Sequence, residues 1–467
     1  MTDRWQLPDG RFVVPGNRWD LVPDDPPEPP EITVVVPYFE DQAGLDRLLA
    51  ALSVQTHPHT RTQVVVADDG SAVPPSVVRW RGDLAVEVVH QENLGFRAAA
   101  ARNLGAARAD GDVLVFLDGD MVPAADHLTR ISRLPAVLPD TLAGGRRRHA
   151  DLAGWGTGRV RGWLTGSEDP PEDLTEPAWL ADEYDRSGDL LRVHPRSYRY
   201  LISATLACTR ELFDEIGGFD ATMTGYGGED WDLAYRAFAV AGAVLAHDPA
   251  AVVWHDGPDW AGRTADDPDR RDAKDLETLA LARRIPEPAM RGHGGHYPTV
   301  DMTVRIDVTG HPVGAVALSV RSFLQTFDCR VQLVGDGAPG LTAAMADRQV
   351  TAGAVGPGVE RLLVDVHRPV VVDGTTAQMV ADMLEEDVGR LEIGDGAVVI
   401  TSSRRHRRTD RWAARLGLDP EDLGSQLFPH RRHVDSGVRP VTGRPSLAAV
   451  FGGWADPETY LGHFRSS

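Results

Sequence analysis

Four apolar, largely β-branched runs limit what this chain can fold into: Ile32–Val36, Gln63–Ala67, Ala85–Val89 and Val113–Leu117. Each is short and continuous, as expected of a strand buried on both faces. Leu45, Leu48, Leu49 and Leu52 share one helical face, and Arg97–Ala107 is an alanine-rich helix. Strands alternating with helices predict an α/β fold with a mostly parallel sheet. Ligands of such sheets bind at the carboxyl ends of the strands. Those ends carry Pro37-Tyr38, Asp68-Asp69 and Asp118-Gly119-Asp120. A purely structural loop would need only turn residues there.

At 467 residues the chain should hold two or three domains. The reading is an N-terminal extension over 1–30, a catalytic domain over 31–256, a linker over 257–299 and a smaller domain over 300–467. Residues 141–200, irregular and rich in Gly, Arg, Asp and Trp, read as loops around an acceptor. The net charge of −21 excludes a non-specific nucleic-acid binder, whose affinity comes from neutralised phosphates. It leaves a phosphate pocket open, because a divalent cation supplies positive charge locally. Cys208 and Cys329 are the only cysteines, which fits a reducing, cytoplasmic setting. The first residues lack a signal architecture, and no apolar run is long enough to span a membrane.

Two acids around a glycine after the strand VLVFL suit a divalent ion that neutralises a leaving diphosphate. GYGGEDWDLAYRAFAVAG at 225–242 reads as a helix from Glu229, with Glu229, Asp230 and Asp232 in its first turn. Acidic capping against the helix dipole needs one acid, not three after paired glycines. Gly227 and Gly228 would let backbone approach a ligand. A carboxylate at a helix start should stay ionised, as a general base must. The strand Ala251–Trp254 ends at His255, the expected third metal ligand. A nitrogen among oxygen ligands favours Mn2+, with Mg2+ the other option.

The second half repeats the first in outline. Thr33 to Gln55 and Thr303 to Gln325 span the same interval, and VVVADDG at 64–70 parallels VQLVGDG at 331–337. DGDVLVFLDGD at 110–120 pairs with DGAVVITSSRR at 395–405, and IGGFD at 216–220 with FGGWAD at 451–456. In that register Ser403 and Arg405 replace Asp118 and Asp120, so the copy has lost its metal site. The expectation is a degenerate domain with a structural, acceptor-binding or dimerising role, the last making a homo-oligomer.

TVVVPYFE, the Gln55-Thr56 pair, VVVADDGS, ENLGFRAAAARNLGAA, FLDGDMVP and IGGFD…GYGGEDWDLAYR…VVWH together resemble glycosyltransferase family 2 over 31–256. The last block is most similar to the galactosyl- and N-acetylgalactosaminyl-transferring and bacterial chondroitin polymerase branches. The resemblance implies a GT-A fold, followed here by a degenerate GT-A-like domain. It also implies an inverting, metal-dependent transfer of a hexose or N-acetylhexosamine from a UDP-sugar to an acceptor hydroxyl on a glycan, peptide or small molecule. By position, Pro37, Tyr38, Glu40, Asp69, Asn93, Arg97, Arg102, Asp118 and Gly119 would bind the nucleotide sugar. Asp120, His255 and Asp118 would hold the metal. Asp230 would deprotonate the acceptor beside Glu229, and Trp231, Gly227 and Gly228 would contact the acceptor. The Gln-x-x-Arg-Trp signature of processive synthases is missing from the first domain, and Arg408–Trp412 mimics it poorly. A sugar nucleotidyltransferase would need a catalytic lysine after the first strand, and Lys274 is the only lysine. The alternative is a non-catalytic glycan- or partner-binding protein built from two degraded domains.

Overall fold

The computed structural model describes residues 4–23, 28–225, 227–257, 268–292, 297–353, 358–434, 437–447 and 450. The chain divides into two compact units. The first takes residues 1–285 together with 407–427, and the second takes 286–406 with 428–467. The segment 407–427, read from sequence as part of the second domain, belongs to the first unit.

The first unit starts with a ribbon, β1 (Trp5–Gln6) on β2 (Phe12–Val13). Within the N-terminal extension, Leu7, Val13 and Val14 are buried. Its main sheet is built from β3 (Ile32–Tyr38), β4 (Thr62–Asp68), β5 (Ala85–His90), β6 (Val113–Leu117), β7 (Met121–Pro123), β8 (Thr141–Asp151), β9 (Glu172–Leu174), β10 (Thr205–Thr209) and β11 (Val244–Asp256). The order is β5-β4-β3-β6-β10-β8-β11-β7, with β9 on β8. β5, β4, β3 and β6 run parallel, as the alternation predicts. β10 is antiparallel to both neighbours. The unit also holds the helices α1 (Gln42–Leu52), α2 (Ala98–Ala106), α3 (His127–Val137), α4 (Thr157–Leu164), α5 (Ala178–Ser187), α6 (Arg210–Glu215), α7 (Glu229–Tyr235) and α8 (Pro268–Ala282), besides the helical segment 407–427. Residues 141–200 are thus not loops, because β8, α4, β9 and α5 lie there, and α8 occupies the expected linker. The helix from Glu229 ends as α-helix at Tyr235 and continues as a π-turn over Arg236–Val240. No helix among the described residues is long and apolar enough to cross a membrane.

Asp140 sits at the centre of a buried cluster in this unit. Its Oδ2 accepts from Arg408 Nε at 2.9 Å and from Trp412 Nε1 at 3.1 Å. Arg408 also donates to the carbonyls of Gly16 and Val14. Arg408 and Trp412 are fully buried. Within the segment that weakly imitates a synthase signature, Arg408 and Trp412 are thus buried against Asp140.

The second unit's sheet contains β12 (Met302–Asp307), β13 (Cys329–Val334), β14 (Val350–Ala352), β15 (Leu362–Val366), β17 (Arg390–Ile393), β18 (Val398–Ser402) and β19 (His430–His433), while β16 (Val370–Val372) pairs with β20 (Val438–Pro440) outside it. Its order is β14-β13-β12-β15-β18-β17-β19. β12 is parallel to β13 and β15, β13 is parallel to β14, β18 is antiparallel to β15 and β17, and β17 is parallel to β19. In the first unit the run β5-β4-β3-β6-β10-β8-β11 has the same chain order and the same directions. The two units share one topology.

That topology corrects one register. The partner of β6 is β15, since each lies parallel to its unit's first sheet strand. The segment 398–402, which the sequence motif pairs with β6, instead corresponds to β10, which also leads straight into a helix. Aligning Val113–Leu117 with Leu362–Val366 puts His367 and Pro369 opposite Asp118 and Asp120, not Ser403 and Arg405. Among the described residues between β14 and β15 none is helical, whereas α2 lies between β5 and β6. FGGWAD at 451–456 lies outside the described residues.

Candidate active site

The carboxyl ends of β3, β4 and β6 bring Tyr38, Asp69 and Asp118 to one edge of the parallel sheet. Asp68 points inward, where Oδ1 accepts from Ser71 N at 3.0 Å and Oδ2 lies 2.8 Å from His90 Nδ1. Asp69 faces the next loop. Its Oδ1 accepts from Gln91 Nε2 at 2.6 Å and its Oδ2 from Arg97 N at 2.8 Å. The loop 91–97 is thereby fastened to β4. Asn93 is exposed on it, and its Oδ1 accepts from Gly95 N. Burial and the Asp68 charge raise the Tyr38 pKa.

Gly70 is where these loops come closest, with φ +79 and room only for hydrogen. A Cβ there would stand 2.3 Å from Asn93 N. Gly70→Ala should therefore displace the 91–97 loop and lower stability by about 1–3 kcal/mol. Thermal melting with and without UDP checks this; an unchanged melting point and unchanged UDP affinity would mean the loop tolerates the shift. Glu40, a non-glycine at φ 51, is held by its own loop bonds. Its N donates to Ser71 Oγ, and its Oε1 accepts from Ala72 N.

Arg102 on α2 is the hub of the site. It is buried, donating to Asp118 Oδ1 at 2.6 Å and to Glu229 Oε1 at 2.9 Å. Burial works against its charge, yet Asp118 and Glu229 outweigh that and raise its pKa. The guanidinium thus ties the end of β6 to the start of α7, across residues far apart in sequence.

Asp230 follows Glu229 at the start of α7. Its Oδ1 accepts from Trp231 N at 2.8 Å and its Oδ2 from Ser203 N at 3.4 Å. The side chain keeps some solvent access, but surrounding protein strips much of its water. Desolvation, then the Glu229 charge, pushes its pKa up to about 7, against Arg102. The sequence argument that a helix start keeps this carboxyl ionised is opposed by burial, which wins here. Trp231 lies within cation–π reach of Arg199 and of Lys274.

Gly227 and Gly228 both have positive φ, and their bare faces serve α8. A side chain on Gly227 would strike Glu277, and one on Gly228 would crowd Met223, Glu277 and Leu281.

Asp120 and His255 form the second pair, with His255 Nε2 3.2 Å from Asp120 Oδ2. β7 and β11 set this distance, because Met121 and His255 are register partners. Burial opposes charge on both groups, but their mutual contact lowers the Asp120 pKa and raises that of His255. Asp120 Oδ1 is buried without a hydrogen-bond partner. An orphaned carboxylate oxygen beside an imidazole nitrogen fits a divalent cation. Asp118 is turned to Arg102, and among the described residues no three acid, His or Cys side chains converge on one point. His149 lies beside the pair, its ring centroid 5.0 Å from that of His255 and its Nδ1 3.0 Å from Gly257 O. It was not singled out in sequence because it ends the basic run RRRH, which reads as a loop. Its only signal is the register that pairs His149 with His255 across β8 and β11.

Residues 33–190 match glycosyl transferase family 2, and residues 192–250 match the N-terminal domain of galactosyltransferase. The chain is 32% identical over 234 residues to validoxylamine A glucosyltransferase of Streptomyces hygroscopicus subsp. limoneus, covering 45% of this chain and 48% of that protein. It is 27% identical over 271 residues to chondroitin synthase of Pasteurella multocida (strain Pm70), covering 55% of this chain and 27% of that one. It therefore spans about half the length of the first relative and about a quarter of the second. Among solved structures, mannosyltransferase PcManGT from Pyrobaculum calidifontis, in complex with GDP-Man and Mn2+, is 23% identical with a TM-score of 0.39, covering 60% of this chain and 70% of that chain. The two family matches fall on the segments that carry Asp69, Arg102, Asp118, Asp120, Glu229 and Asp230. The first unit of this chain thus carries, over residues 33–190, a segment that matches glycosyltransferase family 2.

Proposed function

We propose that the chain is an inverting, divalent-metal-dependent glycosyltransferase that moves a hexose or N-acetylhexosamine from a UDP-sugar to an acceptor hydroxyl. The observation that carries this reading is the bridge Asp118–Arg102–Glu229, which ties the end of β6, next to the Asp120–His255 pair, to the helix start that bears Asp230. In it, Asp69, Asn93 and Arg97 hold the uridine. Asp120 and His255 would hold Mn2+, which would supply charge neutralisation of the leaving diphosphate. Asp230 takes the acceptor proton, and Glu229, fixed by Arg102, positions a sugar hydroxyl. Trp231 faces the acceptor, while Gly227 and Gly228 give their bare faces to α8.

A base whose pKa is raised to about 7 is active only when ionised, so turnover should fall as pH drops through that value. The acidic limb of kcat/KM is expected near neutrality, not near the ordinary carboxylate range; a flat profile down to pH ~5 would remove Asp230 as the base. Substrate choice is read by screening donor hydrolysis across UDP-glucose, UDP-galactose and the UDP-N-acetylhexosamines. Hydrolysis of at least one supports the reading, and hydrolysis of none sinks it. The second unit, with His367 and Pro369 in place of the metal acids, serves a structural, acceptor-binding or dimerising role.

A further inference from the structure

A cavity of about 190 Å³ opens between β8, α5 and β11 in the first unit. That is room for about six waters at ~30 Å³ each, which suits one sugar-sized ring. His247 on β11 lines it and is 4% exposed. Its Nδ1 lies 2.7 Å from Asp189 Oδ1, so that nitrogen is committed to the carboxylate and Nε2 is the one left to meet a ligand. Nε2 is buried and has no hydrogen-bond partner. Tyr184 of α5 stacks on the imidazole at 3.5 Å between centroids, which fixes the ring plane. A buried acceptor without a donor is costly unless a ligand supplies one.

The backbone around this dyad is built for it. Gly188, Asp189 and Leu190 all lie at positive φ, between 57 and 66. Two of them are not glycine, a strained arrangement that recurs at ligand sites. Buried Asn17 holds it, donating from Nδ2 to Leu190 O at 2.7 Å and to Leu245 O at 2.8 Å, while Leu245 N donates to Asn17 Oδ1. One side chain thus anchors the turn bearing Asp189 to the strand bearing His247.

The cavity adjoins the reaction centre. Ile202 lines it, and the next residue, Ser203, donates its N–H to Asp230. Arg147 also lines it, and its charge acts on Asp120 and His255. The lining holds two arginines, Arg146 and Arg147, against three carboxylates, Glu176, Asp185 and Asp189, which disfavours an anion.

We propose that this cavity is an acceptor subsite for one neutral polyhydroxylated ring, a hexose or cyclitol, with a ring hydroxyl donating to His247 Nε2. This rests on the transferase reading above, but its test does not. Saturation-transfer NMR of the full chain with glucose and with myo-inositol as probes should show ring-proton signals from at least one. His247→Phe removes the acceptor nitrogen. Ala181→Phe, at an exposed α5 position on the cavity wall, fills the space without entering the core. Both should lose the signals about tenfold at an unchanged melting temperature, and if His247→Phe unfolds, Ala181→Phe decides alone. No signal from either ring with the native chain, or full signals in Ala181→Phe, overturns the proposal. Donor hydrolysis by the native chain is scored separately, so failure of the transferase reading is told apart from failure of the subsite.

Discussion

Asp230→Asn is expected to slow sugar transfer about 10²–10⁴-fold while leaving UDP affinity close to native. The amide keeps the size of the carboxylate, and its oxygen can still accept from Trp231 N; only the longer bond from Ser203 N, 3.4 Å, is given up, so the start of α7 should hold. What disappears is the group that takes the acceptor proton. The split between turnover and binding is the informative part. Loss of both together would point to collapse of the α7 lead-in, and loss of neither would assign the base elsewhere. Steady-state kinetics with the best donor, alongside calorimetric titration of UDP, measures the two halves separately.

The second large effect lies far from the chemistry. Asp140→Ala should cost about 3–5 kcal/mol, because it leaves the buried Arg408 guanidinium without its anion. Trp412 would lose its indole acceptor in the same step. Removing the indole itself by Trp412→Ala should cost a similar ~3–5 kcal/mol through the cavity it leaves. Denaturant unfolding of the full chain reads both. A change below ~1 kcal/mol in Asp140→Ala would mean that water reaches Arg408. The result also bears on chain layout, since it makes 407–427 part of the first unit's stability.

The parallel strands were legible because each is a short, mostly apolar run, three of the four ending at an acid or a proline, and period and breakers act locally. Pairings fixed by tertiary contact were not. Nothing in the spacing of Arg102, Asp118 and Glu229 says that one guanidinium joins both acids, which takes the crossing of α2, β6 and α7. The paired glycines were read as room for a ligand, and the structure fills that room with α8, from a stretch too polar to read as part of the domain. The duplication was visible as four ordered matches, yet its register slipped. β6, β15 and β18 are all valine-rich strands, and only sheet position tells which two correspond. His247 gave no signal, because a histidine after an alanine-rich strand looks like any core residue until Asp189 and Tyr184 are seen against it.

The measurement closest to the central claim is a calorimetric titration of UDP into the native chain and into Asp120→Ala, each with Mn2+ and with chelator. The account predicts binding to the native chain only when Mn2+ is present, and at least tenfold weaker binding to Asp120→Ala. UDP binding that is indifferent to the metal, or equal in both proteins, would contradict a metal-diphosphate site at Asp118-Gly119-Asp120.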